Sequence, residues 1–364
     1  MPNVVSTWYS SASGGAEVSG KMLSSQLRTL RGVRSTHVVW NGRHDGDDDS
    51  AQSGGWDLAT YQRTVTGLLD QPGSVLISNH RTVAVDAPLA GSLGVPIIVV
   101  MRGIVLPDKE IRVVRDDGTF ARHRPADLGW GRIAVDRWVG ISQASARSLT
   151  IAGVSRDQVT VVHNGVAVNR PAPVPVAAGG RIRFAMAGRA AAWKQFGLGI
   201  DAAAILRDRG ADISLTLLVA GPGEDQLRAL VEERGLEQNV RFAGWRGDFV
   251  SWLNRNVDCL IHPCSVEGFG RVVAEAGSVG VPAIVADRGG PREIVRDGET
   301  GLHFRADDAG DLAGRMAEFA ALPVARRIAM AAATVARTRT LFSVEMMADR
   351  YLSLCRSVLG EAAA

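Results

Sequence analysis

Lysine is nearly missing from this 364-residue sequence: of 41 cationic residues only Lys21, Lys109 and Lys194 are lysine, the rest arginine. So lopsided a ratio reads first as a coding bias, and each lysine then needs a local reason before a functional one. Cysteine is scarce too. Cys259, Cys264 and Cys355 have no C-x-x-C spacing, so they outline neither a disulfide framework nor a cysteine-rich metal site, and a reducing compartment is the simplest reading. Long apolar runs are absent: nothing reaches the ~18 residues of a spanning helix. The start Met1-Pro2-Asn3-Val4-Val5 lacks a basic segment leading into an apolar one, so a cytoplasmic location is expected. An excess of one charge is missing as well. A formal net charge of +3 argues against a nucleic-acid coat, although a local basic patch can still meet phosphate or anionic lipid. Membrane association is thus possible but not indicated.

What the sequence does have is alternation. Short β-branched runs (Asn3–Thr7, Thr36–Trp40, Val75–Ser78, Pro96–Met101, Trp138–Ser142, Val159–His163) are separated by amphipathic stretches such as Ala16–Leu30, Leu58–Leu69 and Gln143–Ala152. A second series follows: strands Ile182–Ala187, Ser214–Ala220, Val240–Ala243, Val257–Ile261 and Pro282–Ala286, with helices Phe196–Arg209, Glu224–Arg234, Arg271–Gly280 and Asp307–Ala321 between or after them. This predicts an α/β protein with parallel sheets and right-handed crossovers. Pro171, Pro173 and Pro175 stiffen a connector that Gly179-Gly180 ends. The expected division is a domain over 1–170, a linker over 171–180, a second domain over 181–340 and a closing helix over 341–364. A cleft between the domains is the expected ligand site. The closing helix carries Met346, Met347, Tyr351, Leu354 and Val358 on one stripe.

The strongest constellation is Glu267-Gly268-Phe269-Gly270-Arg271-Val272-Val273-Ala274-Glu275, after the strand Val257–Ile261. Gly268 and Gly270 permit close backbone approach, and the amides that open the following helix can cradle a phosphate. A helix rises about 1.5 Å per residue, which predicts the two carboxylates roughly 12 Å apart along its axis. A lone glutamate pair of this kind is usually a cap and a surface ion pair; the neighbouring motifs change that reading.

The spacing resembles the E-x7-E signature of retaining glycosyltransferases of family 4, which have the GT-B architecture of two Rossmann-like domains facing a central cleft, with the last helix crossing back to the first domain. Gly188-Arg189-Ala190-Ala191-Ala192-Trp193-Lys194 is similar to the family's G-R-x4-K turn, with Gln195 where glycine is frequent and only a local loop change expected. An arginine fork and a lysine point charge suit a diphosphate leaving group, on whose oxygens charge grows. Val240–Trp245 resembles the family's third strand and its exit, which implies that Trp245 lies near the nucleobase, either stacked on it, packed or exposed. Asp287–Val295, with Gly289-Gly290, resembles the family ending; those glycines read either as amide donors near the donor substrate or as turn formers. In the first domain Ser13-Gly14-Gly15-Ala16-Glu17 resembles the loop that meets donor phosphates, and Val161–Val166 and Gly140–Gln143 match architectural elements. One departure stands out: a histidine usual in the family is replaced by Arg102 in Met101-Arg102-Gly103, and His80 is the nearest alternative.

The resemblance implies transfer of a hexose or N-acetylhexosamine from a nucleoside-diphosphate sugar, such as a UDP-sugar, to an acceptor hydroxyl with retention, without metal or cofactor. The implied catalytic residues are Glu267, Arg189, Lys194 and His80. The implied donor-binding residues are Gly14, Gly15, Gly188, Arg189, Lys194, Trp245, Gly268, Phe269, Gly270 and Glu275. The expected acceptor is a small aminocyclitol or natural product, which the acidic run Asp45–Asp49 suggests, or a cell-surface glycan precursor. Competing readings are a GT-B phosphorylase or sugar-nucleotide epimerase, and a non-catalytic sugar-binding protein. A dinucleotide oxidoreductase is prompted by Gly221-x-Gly223 but lacks the next small residue at Gln226. A metal-dependent transferase is prompted by Asp47–Asp49.

Overall fold

The computed structural model describes residues 2–10, 15–30, 33–41, 57–107, 109–115, 120–168 and 181–361. The linker 171–180 and the acidic run Asp45–Asp49 lie outside them, as does Gly14. The chain forms two units, one of residues 1–165 with 344–364 and one of residues 166–343.

In chain order the first unit contains β1 (Asn3–Ser10), α1 (Gly15–Thr29), β2 (Arg34–Asn41), α2 (Leu58–Leu69), β3 (Ser74–Asn79), α3 (Val83–Leu93), β4 (Ile97–Met101), β5 (Ile111–Val114), β6 (Phe120–His123), β7 (Arg137–Gly140), α4 (Gln143–Ile151) and β8 (Val159–Val161). Six of the strands form a parallel sheet in the order β2-β1-β3-β4-β7-β8. Every residue of β3 and β4 is buried, as a strand covered on both faces requires. The antiparallel hairpin β5-β6 is an addition that the alternation does not predict.

The helix α3 is also unpredicted. Its sequence Val-Ala-Val-Asp-Ala-Pro-Leu-Ala-Gly-Ser-Leu places Pro88 inside a helix, where proline normally removes a hydrogen bond. Tertiary contacts hold it. Asp86 is fully buried and accepts hydrogen bonds from Thr7 (2.9 Å), Tyr61 (2.6 Å), Ser78 (2.5 Å) and Thr82 (2.8 Å), which ties the helix to β1, α2 and β3.

The second unit contains β9 (Ile182–Arg189), α5 (Phe196–Asp208), β10 (Ile213–Ala220), α6 (Glu224–Glu233), β11 (Val240–Phe242), α7 (Phe249–Asn256), β12 (Cys259–His262), α8 (Arg271–Ser278), β13 (Ala283–Ala286), α9 (Pro291–Ile294), β14 (Gly301–Phe304), α10 (Ala309–Ala321) and α11 (Val324–Phe342). Its sheet is again parallel, in the order β11-β10-β9-β12-β13-β14. Phe184, Met186, Leu215, Leu217 and Ile261 from the sheet meet Ile200, Leu312, Met316 and Phe319 from the helices in its core. The chain then returns to the first unit as α12 (Val344–Val358), where Met347, Tyr351 and Cys355 are buried and the Gly165 amide points at Met347 Sδ (3.1 Å). Among the described residues no single helix is long and apolar enough to cross a membrane. The apolar run Pro96–Met101, read as a strand, holds the buried strand β4.

Candidate active site

In the second sheet β9 and β12 are adjacent and parallel, so the loops that leave their carboxyl ends emerge side by side, where open α/β sheets bind ligands. β9 delivers Gly188 and Arg189, followed by a 3-10 turn over Ala192–Lys194. β12 delivers His262, Cys264 and Glu267. Lys194 and Glu267, 73 residues apart, meet in an ion pair, their side chains 13% and 17% exposed. The ammonium also lies 4.3 Å from the centroid of the Trp193 ring.

Burial alone would raise the Glu267 pKa, but Lys194, His262 and the Phe269 amide hold it below the ordinary carboxylate value. His262 is buried, its Nε2 lying 3.8 Å from Glu267 Oε2 without a hydrogen-bond partner. Burial and the Lys194 charge pull its pKa down to about 4, against the opposing Glu267 charge. Cys264 donates to the Trp193 carbonyl (3.1 Å), and its thiol is pushed up to about 11, chiefly by burial. The motif reading passed over His262. Its signal was a histidine at the last position of a buried strand that feeds the glutamate loop.

Gln195 does more than alter a loop locally. Its φ of +56° lies in the left-handed region, which costs a non-glycine residue roughly 1–2 kcal/mol. Its side chain offsets this by accepting from Ser265 N (2.9 Å) and Ser265 Oγ (3.1 Å) and donating to Asp307 Oδ1 (2.6 Å). The lysine loop is thereby tied to the glutamate loop.

The helical spacing expected between the two glutamates does not hold. The helix α8 begins at Arg271, after Gly270 at φ +87°, so residues 267–270 are loop, and a rise per helical residue cannot set the Glu267–Glu275 separation. No side chain caps α8, which leaves the expected phosphate cradle at its N-terminus unblocked by a cap. Phe269 is buried against Phe342 with ring centroids 6.0 Å apart, so only its backbone can face a ligand. Glu275 pairs with Arg271 across one helical turn (2.8 Å), and burial raises its pKa against the pull of that arginine.

Gly289 and Gly290 answer neither expectation alone. A Cβ on Gly290 would lie 2.3 Å from the Gly268 carbonyl oxygen, and one on Gly289 2.8 Å from that of Glu267. The Gly290 amide already donates to Glu267 O (2.8 Å), so the double glycine supports the glutamate loop by close backbone approach. Gly221 and Gly223 likewise fit against the turn after β9: the Gly223 amide donates to Ala190 O (2.9 Å), and a Cβ on Gly221 would lie 3.2 Å from Arg189 Cγ. This packing accounts for the glycine pair that had prompted the dinucleotide reading. Arg189 is exposed and makes no ion pair among the described residues. Trp245 is 80% exposed, which removes packing from its three readings.

In the first unit, Gly15 opens α1. His80 follows β3, buried edge-on against Trp130, with Nδ1 3.3 Å from Val100 O. A carbonyl only accepts, so Nδ1 carries the proton, and burial lowers the pKa to about 3. His80 is a neutral imidazole. Arg102 lies 4.9 Å over the Trp8 ring, its Nε buried without a partner.

Residues 173–335 match the family described as Glycosyl transferases group 1. Most of the second unit is thus similar to a group 1 glycosyltransferase domain. Curated relatives include the lipopolysaccharide core biosynthesis glycosyltransferase LpsE of Rhizobium meliloti strain 1021 (32% identical, covering 40% of this chain and 42% of the relative). The D-inositol 3-phosphate glycosyltransferase of Nocardia farcinica is 33% identical over 49% of this chain and 43% of that one. The chain spans less than half the length of these relatives. Among solved structures, Anabaena Alr3699/HepE in complex with UDP and glucose superposes with a TM-score of 0.77 at 18% identity, covering 98% of this chain and all of that one. Sucrose-phosphate synthase from Thermosynechococcus elongatus gives 0.75 at 16% identity, covering 99% of this chain and 100% of that one. The fold is GT-B, with two parallel-sheet Rossmann-like domains.

Proposed function

We propose that this protein is a retaining glycosyltransferase of the E-x7-E type, moving a hexosyl or N-acetylhexosaminyl group from a nucleoside-diphosphate sugar to an acceptor hydroxyl without a metal. The observation that carries the reading is the meeting of Lys194 with Glu267 beside the uncapped start of α8. A cation, a carboxylate and helix-opening amides in one place suit a sugar diphosphate, which carries hydroxyls at one end and growing negative charge at the other. Lys194, partnered by the unpaired Arg189, stabilises the diphosphate as the glycosidic bond breaks. Glu267, held ionised, accepts from the hydroxyls of the transferred sugar, and Glu275 from those of the ribose. A diphosphate oxygen takes the acceptor proton on the face the leaving group vacates, which retains configuration. His80 offers a neutral acceptor nitrogen in the first domain.

UDP is the favoured nucleotide, supported by the complexes of the HepE fold neighbour with UDP and UDP-glucose. Relatives named for lipopolysaccharide core and D-inositol 3-phosphate glycosylation support a surface-glycan precursor or a cyclitol as acceptor. A panel of nucleotide sugars scored by nucleotide release, with mass spectrometry of products, tests the reading. Lys194→Ala is expected to lower turnover about 10- to 100-fold, corresponding to ~1.5–3 kcal/mol of charge stabilisation. Near-unchanged turnover at saturating donor defeats the role given to Lys194.

A further inference from the structure

The proposed transfer uses neither His262 nor Cys264, yet one ligand atom from each, with one from Glu267, falls within 4.8 Å of the others. We propose that His262, Cys264 and Glu267 form a site for a borderline-soft divalent cation of the zinc class, and that the cation and Lys194 compete for the Glu267 carboxylate.

Three observations support this. The donor set is one imidazole, one thiol and one carboxylate, the mixture that zinc accepts and that magnesium or calcium does not favour. The geometry needs little change: tetrahedral zinc with bonds of about 2.0–2.3 Å sets its ligand atoms roughly 3.3–3.8 Å apart, and His262 Nε2 already lies 3.8 Å from Glu267 Oε2. Rotation about the Cys264 and Glu267 side-chain bonds closes the rest. Finally, His262 Nε2 is a buried nitrogen without a hydrogen-bond partner, which a metal bond would satisfy.

On binding, the S–H bond of Cys264 breaks, its proton leaves to solvent, and the sulfur electron pair forms the metal bond; nothing is oxidised or reduced. The Trp193 carbonyl loses its thiol donor, and the Lys194 ammonium is expelled from Glu267 by like charge. A bound cation therefore removes both charged groups assigned to the donor, so it inhibits transfer. That consequence rests on the proposed function, but binding does not.

Cobalt(II) titration of the 364-residue chain tests binding directly. One ion per chain is expected, with a sulfur-to-cobalt charge-transfer band that zinc displaces. Cys259 and Cys355 belong to no three-ligand group of histidine, cysteine or carboxylate among the described residues, so the band reports Cys264. Cys264→Ser, which retains a donor for Trp193 O, should abolish the band and weaken zinc binding at least about 100-fold. Cys264→Ala replaces it if serine disturbs folding. Lys194→Ala should tighten zinc binding about tenfold by removing the competing cation. Where donor-driven nucleotide release is measurable, zinc should inhibit the wild type reversibly with EDTA and spare Cys264→Ser. Binding without a sulfur band, equal affinity in the cysteine variant, or no tightening in Lys194→Ala overturns the assignment. An inactive protein that still shows the band overturns only the transferase reading.

Discussion

At the scale of single residues, the pair Lys194 and Glu267 was visible in the sequence because each sits in a motif whose spacing carries chemistry. Gln195 and His262 were not, because their roles depend on partners 70 and five residues away that no local pattern names. Asp86 is the clearest residue of this kind. Its carboxylate collects four hydroxyl donors in a fully buried setting, and burial raises its pKa against them. Asp86→Ala would remove the acceptor of Thr7 and Tyr61, while Ser78 and Thr82 retain Asn79 O at 3.3 and 3.2 Å, and at about 1 kcal/mol or more for each orphaned group the first unit should lose at least ~2 kcal/mol. Asp86→Asn keeps acceptor capacity and should cost less than half as much. Urea unfolding followed by tryptophan fluorescence measures both, and equal losses would refute the acceptor argument.

Among the elements, strands and most helices were legible because hydrophobic periodicity reports burial on one or both faces. The prediction of α2 over Leu58–Leu69 matches its observed limits. By contrast, α3 was illegible, since Pro88 and two β-branched valines argue locally against a helix that Asp86 and the surrounding core stabilise. The Gly289-Gly290 turn that opens α9 shows the same dependence. Two backbones approach there closely enough that only glycine fits, and Gly290→Ala places a methyl 2.3 Å from a carbonyl oxygen. Backbone cannot yield as a side chain does, so the Glu267 loop must move. Melting temperature should fall, and turnover should drop at least about tenfold, since a misplacement of about 1 Å in an active site can cost far more. Gly314→Ala, in the exposed middle of α10 with open space around it, should instead be neutral or stabilising by about 0.5–1 kcal/mol. Similar stability and turnover in the two variants would contradict the steric account.

At the scale of the whole molecule, three histidines that are buried among the described residues shape the acid response. His37 and His80 in the first unit titrate at about 3, and His262 in the second at about 4, all lowered chiefly by burial. These depressed values mean that the unfolded chain, with histidine near 6.5, binds protons that the folded chain refuses. Stability is therefore complete above pH 6.5 and falls as pH drops toward 4, at ~1.4 kcal/mol per pH unit for each proton in the difference. In the first unit Asp86 works against this, since its raised pKa lets the folded state bind a proton. For each histidine not offset in this way the loss should reach about 2 kcal/mol between pH 6.5 and 5. Denaturant midpoints measured across that range check it, and a flat profile would show that these histidines are protonated in the folded state.

The sequence by itself determined the alternating parallel architecture and the charged motifs, because periodicity and motif spacing are local quantities. Tertiary structure alone decided what those motifs touch. It brought Lys194 onto Glu267, put His262 and Cys264 beside them, moved the start of α8 past Glu267, and gave the double glycine its supporting role. The scarcity of lysine acquires its meaning there. An arginine at position 194 would bring a planar fork, whereas the space over Trp193 and against Glu267 holds a compact ammonium, a distinction that arises only when β9 and β12 lie side by side.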